Sequence, residues 1–243
     1  MTTLSAVPSA TRTAPAAQHA DIAYEQIKTA IIQGSLAPGS RISEQQLAEL
    51  LNVSRTPVHQ AVVRLQSEEW LEISSRRGVT IAPLIASEMR EIYEILIGLE
   101  GIAVTALASR PSDADDGIDE ELRIACDKCE TALEERDHKR WAEEDDRFHR
   151  LLIERCGNER LVRLSSSIVE QAHRARILTV KLRPWPTSSN NDHVHILECI
   201  ANRNPEDARA ALEAHRRRGI ATLVPILEAS NPTSDFQFKP VGR

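Results

Sequence analysis

Residues 34–83 read GSLAPGSRISEQQLAELLNVSRTPVHQAVVRLQSEEWLEISSRRGVTIAP, and the punctuation of this stretch decides the architecture. Pro38-Gly39 turns the chain, and a short strand fits Arg41-Ile42. Ser43 followed by Gln46 forms a capping box, which opens a helix through Leu47, Leu50 and Leu51 that ends at Asn52-Val53. Thr56 reads as the N-cap of a second helix, with Pro57 at its first helical position. Val58, Ala61, Val62 and Leu65 then recur at the spacing of one inward face. Two short helices across so tight a turn make a helix-turn-helix. Beyond Trp70, Leu71 and Ile73 alternate with polar residues, as do Val79 and Ile81. Between them Ser75-Arg76-Arg77-Gly78 reads as a hairpin tip carrying two positive charges. Upstream, Ala23, Ile27, Ala30 and Ile31 recur at helical spacing, and Gly34 sits where a helix-terminating glycine belongs. The local logic is that of a winged helix-turn-helix over residues 20–84.

The bulk composition bounds the rest. A chain of 243 residues suits two modest domains, and 41% hydrophobic with 27% charged residues is ordinary for globular protein. No apolar run approaches the roughly 20 residues that span a bilayer. Residues 1–19, rich in Ala, Thr, Ser and Pro, lack the apolar core of a signal peptide and read as a disordered leader on a cytoplasmic protein. Cys126 and Cys129 form a CxxC inside a helical pattern with no second pair nearby, which fits reduced structural thiols. The net charge of −6 argues against nonspecific coating of nucleic acid, though not against a local DNA-reading surface.

After a linker at Pro83 the pattern is helical throughout, over about 86–109, 117–136, 138–156, 158–183, 188–203 and 205–229. Breaks fall at Pro111, Asp137, Gly157-Asn158, Pro184-Trp185-Pro186 and Asn204-Pro205. The fold class is therefore mainly α: an N-terminal winged helix-turn-helix plus a C-terminal all-helical bundle over 85–230, with 231–243 a flexible tail. Within the bundle, Asp145 and His149 share one helix face at a spacing of four, and His193 and His215 fall on the last two helices. Three imidazoles and a carboxylate suit a first-row divalent ion, Zn or Ni foremost. His195 points roughly 200° away from His193 on a helix and is left out of that set. Asp146 is offset from Asp145 and either faces solvent or supports a ligand. No general base stands out beside the four.

The first stretch resembles the DNA-binding domain of the GntR family of regulators. The PG turn, SEQQLAE helix, VSRTPV recognition-helix start and wing glycine carry the likeness. The resemblance implies a homodimer on a palindromic operator. Gln45, Ser54, Arg55, Thr56, His59 and the wing residues Arg76, Arg77 and Gly78 would then meet phosphates and base edges. The first turn of such a helix offers free N–H groups to phosphate, and Arg55 can pair bidentately with guanine. Relatives carry arginine where this chain has His59, and some where it has Gln45. His59 supplies charge only when protonated, and acidic residues narrowly outnumber basic ones over 20–84.

The second part resembles the FCD domain of the FadR subgroup, in its six-helix, VanR-like form, through DDRFHRLLIERCGNERL, DHVHILECI and DARAALEAHRRR. The likeness implies Asp145, His149, His193 and His215 as metal ligands, and a small organic acid as effector. In the family's YEvRxxLE pattern an arginine reaches the effector. Here the stretch is Tyr93-Glu94-Ile95-Leu96-Ile97-Gly98-Leu99-Glu100, with Leu96 at that position. Either Arg174 or Arg176 compensates, or the effector is less acidic than is usual. The expected function is an effector-controlled DNA-binding regulator, a repressor, with no enzymatic activity. The alternatives are a C-terminal domain that is only a metal-stabilised dimerisation module, or a metal-dependent hydrolase.

Overall fold

The structure, a computed structural model, describes residues 16–74, 78–111 and 117–230. The chain divides into two compact units that part at Ala82-Pro83, with the segment Ile31–Pro38 at the end of the first helix grouped with the second unit. In the first, α1 (Ala16–Ile32), α2 (Glu44–Leu51) and α3 (Arg55–Ser67) pack with a three-stranded antiparallel sheet of β1 (Arg41–Ile42), β2 (Leu71–Ser74) and β3 (Gly78–Ile81). The strand order is β1-β3-β2, with Ile42 opposite Val79 and Leu71 opposite Ile81. Val58, Val62, Leu65, Leu71, Val79 and Ile81 are wholly enclosed. Burying each such side chain is worth about 1.5–3 kcal/mol, which is what holds so small a sheet onto three helices.

The Ser43 capping box is formed in full, and Asn52 ends α2 in the left-handed conformation with its N–H on the carbonyls of Ala48 and Glu49. The start of α3 differs from expectation. Its N-cap is Ser54, with extended backbone and no side-chain capping bond, so Arg55 is the first helical residue, Thr56 the second and Pro57 the third. Proline is tolerated anywhere in a first turn because those N–H groups have no intrahelical acceptor, so Pro57 did not mark the first position. α1 also starts earlier than expected, at Ala16, inside the stretch read as leader. Ala16, Ala17, Gln18 and Ala20 are all good helix formers, and that propensity outweighs the low-complexity look.

A polar knot joins α1 to α3. The Tyr24 hydroxyl donates to Glu68 (2.6 Å), Lys28 donates to Tyr24 (2.8 Å), and the Arg64 guanidinium lies 3.6 Å from the centre of the Tyr24 ring. Burial would raise the Glu68 carboxyl, but the Tyr24 hydrogen bond and the Lys28 charge outweigh it and hold the pKa below the usual range.

The second unit contains α4 (Ala86–Ala108), α5 (Ile118–Glu134), α6 (His138–Glu154), α7 (Glu159–Thr179), α8 (Thr187–Ala201) and α9 (Pro205–Ser230). Asp137 caps α6 on the N–H groups of Lys139 and Arg140, and Asn158 caps α7 on Leu161. The helix expected to run to 183 instead stops at Thr179 and tightens into a 3-10 turn, Val180–Leu182. Pro184 explains the exit, since the residue before a proline is pushed out of the helical region, and Arg183 is extended. One apolar core gathers Val104, Leu107, Leu122, Phe148, Leu152, Ile196, Ile200 and Leu212. Another gathers Tyr93, Leu96, Ala103, Ile153, Val169 and Leu223. Cys126 and Cys129 are buried and unbridged; burial pushes the Cys126 thiol up to about 12, so both behave as small apolar residues.

Candidate functional site

Two places carry chemistry. In the first unit the start of α3 is exposed at Ser54, Arg55, Thr56 and His59, with Gln45 exposed on α2. Gln45 donates to Glu49 (2.8 Å), and His59 Nδ1 lies 3.1 Å from a Glu44 carboxylate oxygen. Both residues that replace an expected arginine are therefore tied to an acid. Arg55 is the unreplaced cation of this face. Gly78 opens β3 with φ +72°, and a Cβ there would lie 3.0 Å from the Ile42 carbonyl oxygen. Its glycine is thus required by backbone conformation and by space. Arg76 and Arg77 lie outside the described residues.

The second place is inside the helical unit. On α6 the buried stripe runs Trp141, Asp145, Phe148, His149, Leu152. On α8 it runs His193, Ile196, Ile200, and on α9 Leu212, His215, Arg216, Leu223. All four candidate ligands thus occupy positions where a core helix would carry apolar residues, with exposures of 2% for Asp145, 1% for His149, 0% for His193 and 7% for His215. Burying such groups is costly unless they have partners.

They converge. His215 Nε2 is 3.2 Å from His149 Nε2, His193 Nε2 is 3.4 Å from Asp145 Oδ1, and His149 Nε2 is 4.0 Å from Asp145 Oδ2. One ligand atom from each histidine lies within 4.8 Å of the others. Bonds of about 2 Å to a shared ion require this scale of donor spacing. The far sides of two rings face carboxylates: His149 Nδ1 is 3.4 Å from Glu100, and His215 Nδ1 is 3.3 Å from Asp192. At His215 this contact is a hydrogen bond, and a proton held on Nδ1 by Asp192 leaves Nε2 with a bare lone pair, whereas His149 Nδ1 makes no hydrogen bond. Both ring nitrogens of wholly buried His193 lack a hydrogen-bond partner, and a metal ion would satisfy the one, Nε2, that faces Asp145.

The electrostatics suit the same reading. Burial pushes His193 down to about 3 and His149 well below its ordinary value, so both are neutral donors at pH 7. Burial alone would raise Asp145, but the Arg176 guanidinium, 2.7 Å from Oδ2, outweighs it and keeps the carboxylate ionised. The donor set fits a first-row divalent ion.

Several supporting groups escaped the sequence reading. Arg216 and Glu100 form a buried two-pronged ion pair, Nε to Oε2 at 2.6 Å and Nη2 to Oε1. Glu100 is thus an acid beside a candidate ligand after all, but Arg216 occupies it and it is not poised as a base. Asp146 is buried rather than solvent-facing; it contacts Arg150 (2.6 Å), His173 (3.3 Å) and Arg176 (3.6 Å). His195 is exposed and outside the cluster. Leu96 is enclosed in apolar core beside Tyr93. Arg174 and Arg176 are both buried, not solvated, and Arg176 is committed to the two aspartates. The signal for Glu100 and Arg216 was their spacing, since each falls on its helix's core-facing stripe; Arg176 was singled out from the sequence, but not its pairing with the aspartates.

Comparison with known proteins agrees with this architecture. Residues 19–81 match the family described as bacterial regulatory proteins, gntR family, and residues 91–218 match the FCD domain. The chain is 37% identical over 131 residues to an HTH-type transcriptional regulator in the TAR-I ttuE-ttuC' intergenic region of Agrobacterium vitis, covering 54% of this chain and 77% of that one. It is 31% identical over 213 residues to the HTH-type transcriptional regulator YdhC of Bacillus subtilis, covering 84% and 91%. Its fold matches Escherichia coli McbR/YncC with a TM-score of 0.73 at 20% identity, covering 87% and 98%. These relatives are regulators, in keeping with a non-enzyme, and no helix among the described residues is long and apolar enough to cross a membrane. The chain belongs to the GntR family of DNA-binding transcriptional regulators and carries an FCD domain.

Proposed function

We propose that this regulator is a cytoplasmic, homodimeric repressor whose hold on a palindromic operator is controlled by a small organic acid at a metal site in its C-terminal domain. The observation that carries the sensing half is the convergence of Asp145, His149, His193 and His215 from three helices, with His193 nitrogens left without hydrogen-bond partners. Zn²⁺ or Ni²⁺ held by this set would supply a Lewis acid with room for an exogenous oxygen ligand. The chain's own part is to keep His149 and His193 neutral and Asp145 ionised, through burial and Arg176.

On the DNA side, Ser54 and Thr56 with the first-turn N–H groups of α3 meet phosphate, Arg55 reads a base edge, and Gln45, His59, Gly78, Arg76 and Arg77 flank them. The exposure of α3's first turn and the uncapped Ser54 hydroxyl support this assignment. Effector binding shifts the population between two dimer geometries, changing the separation of two recognition helices that must match fixed half-site spacing.

A mobility-shift assay on the chain's own upstream region tests the reading. Wild-type protein is expected to retain operator DNA, and Arg55→Ala to lose at least about tenfold in affinity, the order of a lost bidentate base contact. Operator affinity unchanged in Arg55→Ala would remove the recognition-helix assignment. Operator affinity that stays constant across a carboxylate panel with metal-loaded protein would reduce the C-terminal domain to a dimerisation module.

A further inference from the structure

A cleft of about 100 Å³ opens beside the histidine cluster, walled by Trp141, Arg183, Trp185, Ser188, His215 and Thr222. His215 belongs to both, and Asp192, which faces its Nδ1 and is paired with Arg218, also lines the cleft, so the cleft opens against the outer side of the cluster. Arg183 enters it because Pro184 forces its backbone out of the preceding 3-10 turn.

Arg183 is placed unlike the four arginines whose carboxylate partners surround the cluster. Arg150 is paired with Asp146, Arg176 with Asp145 and Asp146, Arg216 with Glu100, and Arg218 with Asp192. Among the described residues, no carboxylate lies within ion-pair distance of Arg183. Its Nε donates to the Thr179 hydroxyl (2.9 Å), the Tyr93 hydroxyl lies against it, and its buried Nη2 has no hydrogen-bond partner. Burial, the largest influence on this half-buried group, lowers its pKa against the weaker pull of Tyr93 and of the more distant Asp145 carboxylate. A guanidinium anchored through one edge and unsatisfied at another is built to take an anion.

We propose that Arg183 is the specificity-determining residue that grips the carboxylate of a small effector in this cleft. It takes over the role that Leu96, enclosed in apolar core, cannot perform. The proposal rests on the sensing function argued above and names the chemistry of its ligand. A cavity of about 150 Å³ holds benzene, so the enclosed part of this cleft suits a carboxylate of only a few heavy atoms, with more substituents reaching outward past Trp185. The hydroxyls of Ser188 and Thr222 add polar contacts beyond the carboxylate.

The test is calorimetric titration of full-length, Ni²⁺-loaded protein with acetate and with butyrate, for wild type, Arg183→Met and Arg183→Lys. Wild type is expected to bind both acids. Arg183→Met should bind Ni²⁺ as wild type does but lose at least about tenfold in carboxylate affinity, the order of a charge-assisted hydrogen bond. Arg183→Lys, which keeps the charge without the planar fork, should fall between them. Equal carboxylate affinity in wild type and Arg183→Met overturns the proposal and leaves the metal site standing, as does a Ni²⁺-loaded wild type that binds neither acid. A wild type that does not take up Ni²⁺ overturns the metal reading itself.

Discussion

At the residue scale, the buried charges of Asp145, Asp146, Glu100, Arg176 and Arg216 are each answered by an opposite charge, whereas Arg183 is not. Glu100 and Arg216, exposed by 0% and 3%, answer each other from α4 and α9, and the carboxylate also faces His149. Removing one member of such a pair leaves the other charge stranded, at a cost of about 3–5 kcal/mol, whereas replacing both with apolar residues is often close to neutral. Glu100→Gln is therefore expected to lower the urea midpoint of metal-free protein strongly, and Glu100→Leu with Arg216→Met to recover most of the loss. A single variant as stable as wild type would show that the pair does not hold α4 to α9. The pair also explains why Glu100 does not stand out in the sequence: it is distant from His149 along the chain and meets it only across helices.

At the scale of elements, the wing is the least forgiving piece. Gly78 begins β3 at φ +72°, where an added Cβ would press to 3.0 Å of the Ile42 carbonyl on β1. A non-glycine residue in this region costs roughly 1–2 kcal/mol before the clash is counted. Gly78→Ala should lower the thermal midpoint and weaken operator binding together, because β1 must move to make room. Loss of DNA binding with an unchanged midpoint would assign this glycine to DNA contact alone. The start of α3 teaches the opposite lesson about local signals. Thr56-Pro57 carries strong helix-start chemistry, yet the helix begins one residue after Ser54, because a proline fits any position of the first turn.

At the scale of the whole molecule, the proposed metal site couples binding to stability. Its donors come from α6, α8 and α9, elements that separate on unfolding, so an ion held there favours the folded state. At a free metal concentration one hundred times its dissociation constant the gain is about 2.7 kcal/mol. Stripping the metal with a chelator should lower the thermal midpoint of wild type, and adding Ni²⁺ or Zn²⁺ should restore it. His193→Ala should make the midpoint insensitive to both. A wild-type midpoint indifferent to chelator and metal would argue against occupancy of this cluster.

The sequence by itself determined the winged helix-turn-helix, since capping boxes, turn residues and apolar periodicity act within a few residues of one another. It also determined the helical segments of the bundle, and it singled out the four polar residues that the fold brings together. Asp145 and His149 were legible as a pair because one helix turn separates them. Only the tertiary structure decided what answers those groups: Arg176 on Asp145, Glu100 behind His149, Asp192 behind His215, and Arg183 in the cleft. Each of these partnerships joins side chains on different elements, and the burial that makes them matter exists only after the helices have packed. Packing committed Arg176, one of the two arginines offered in place of the one missing at Leu96, to two carboxylates, and put Arg183 beyond ion-pair distance of any carboxylate among the described residues, a difference of surroundings that no local pattern encodes.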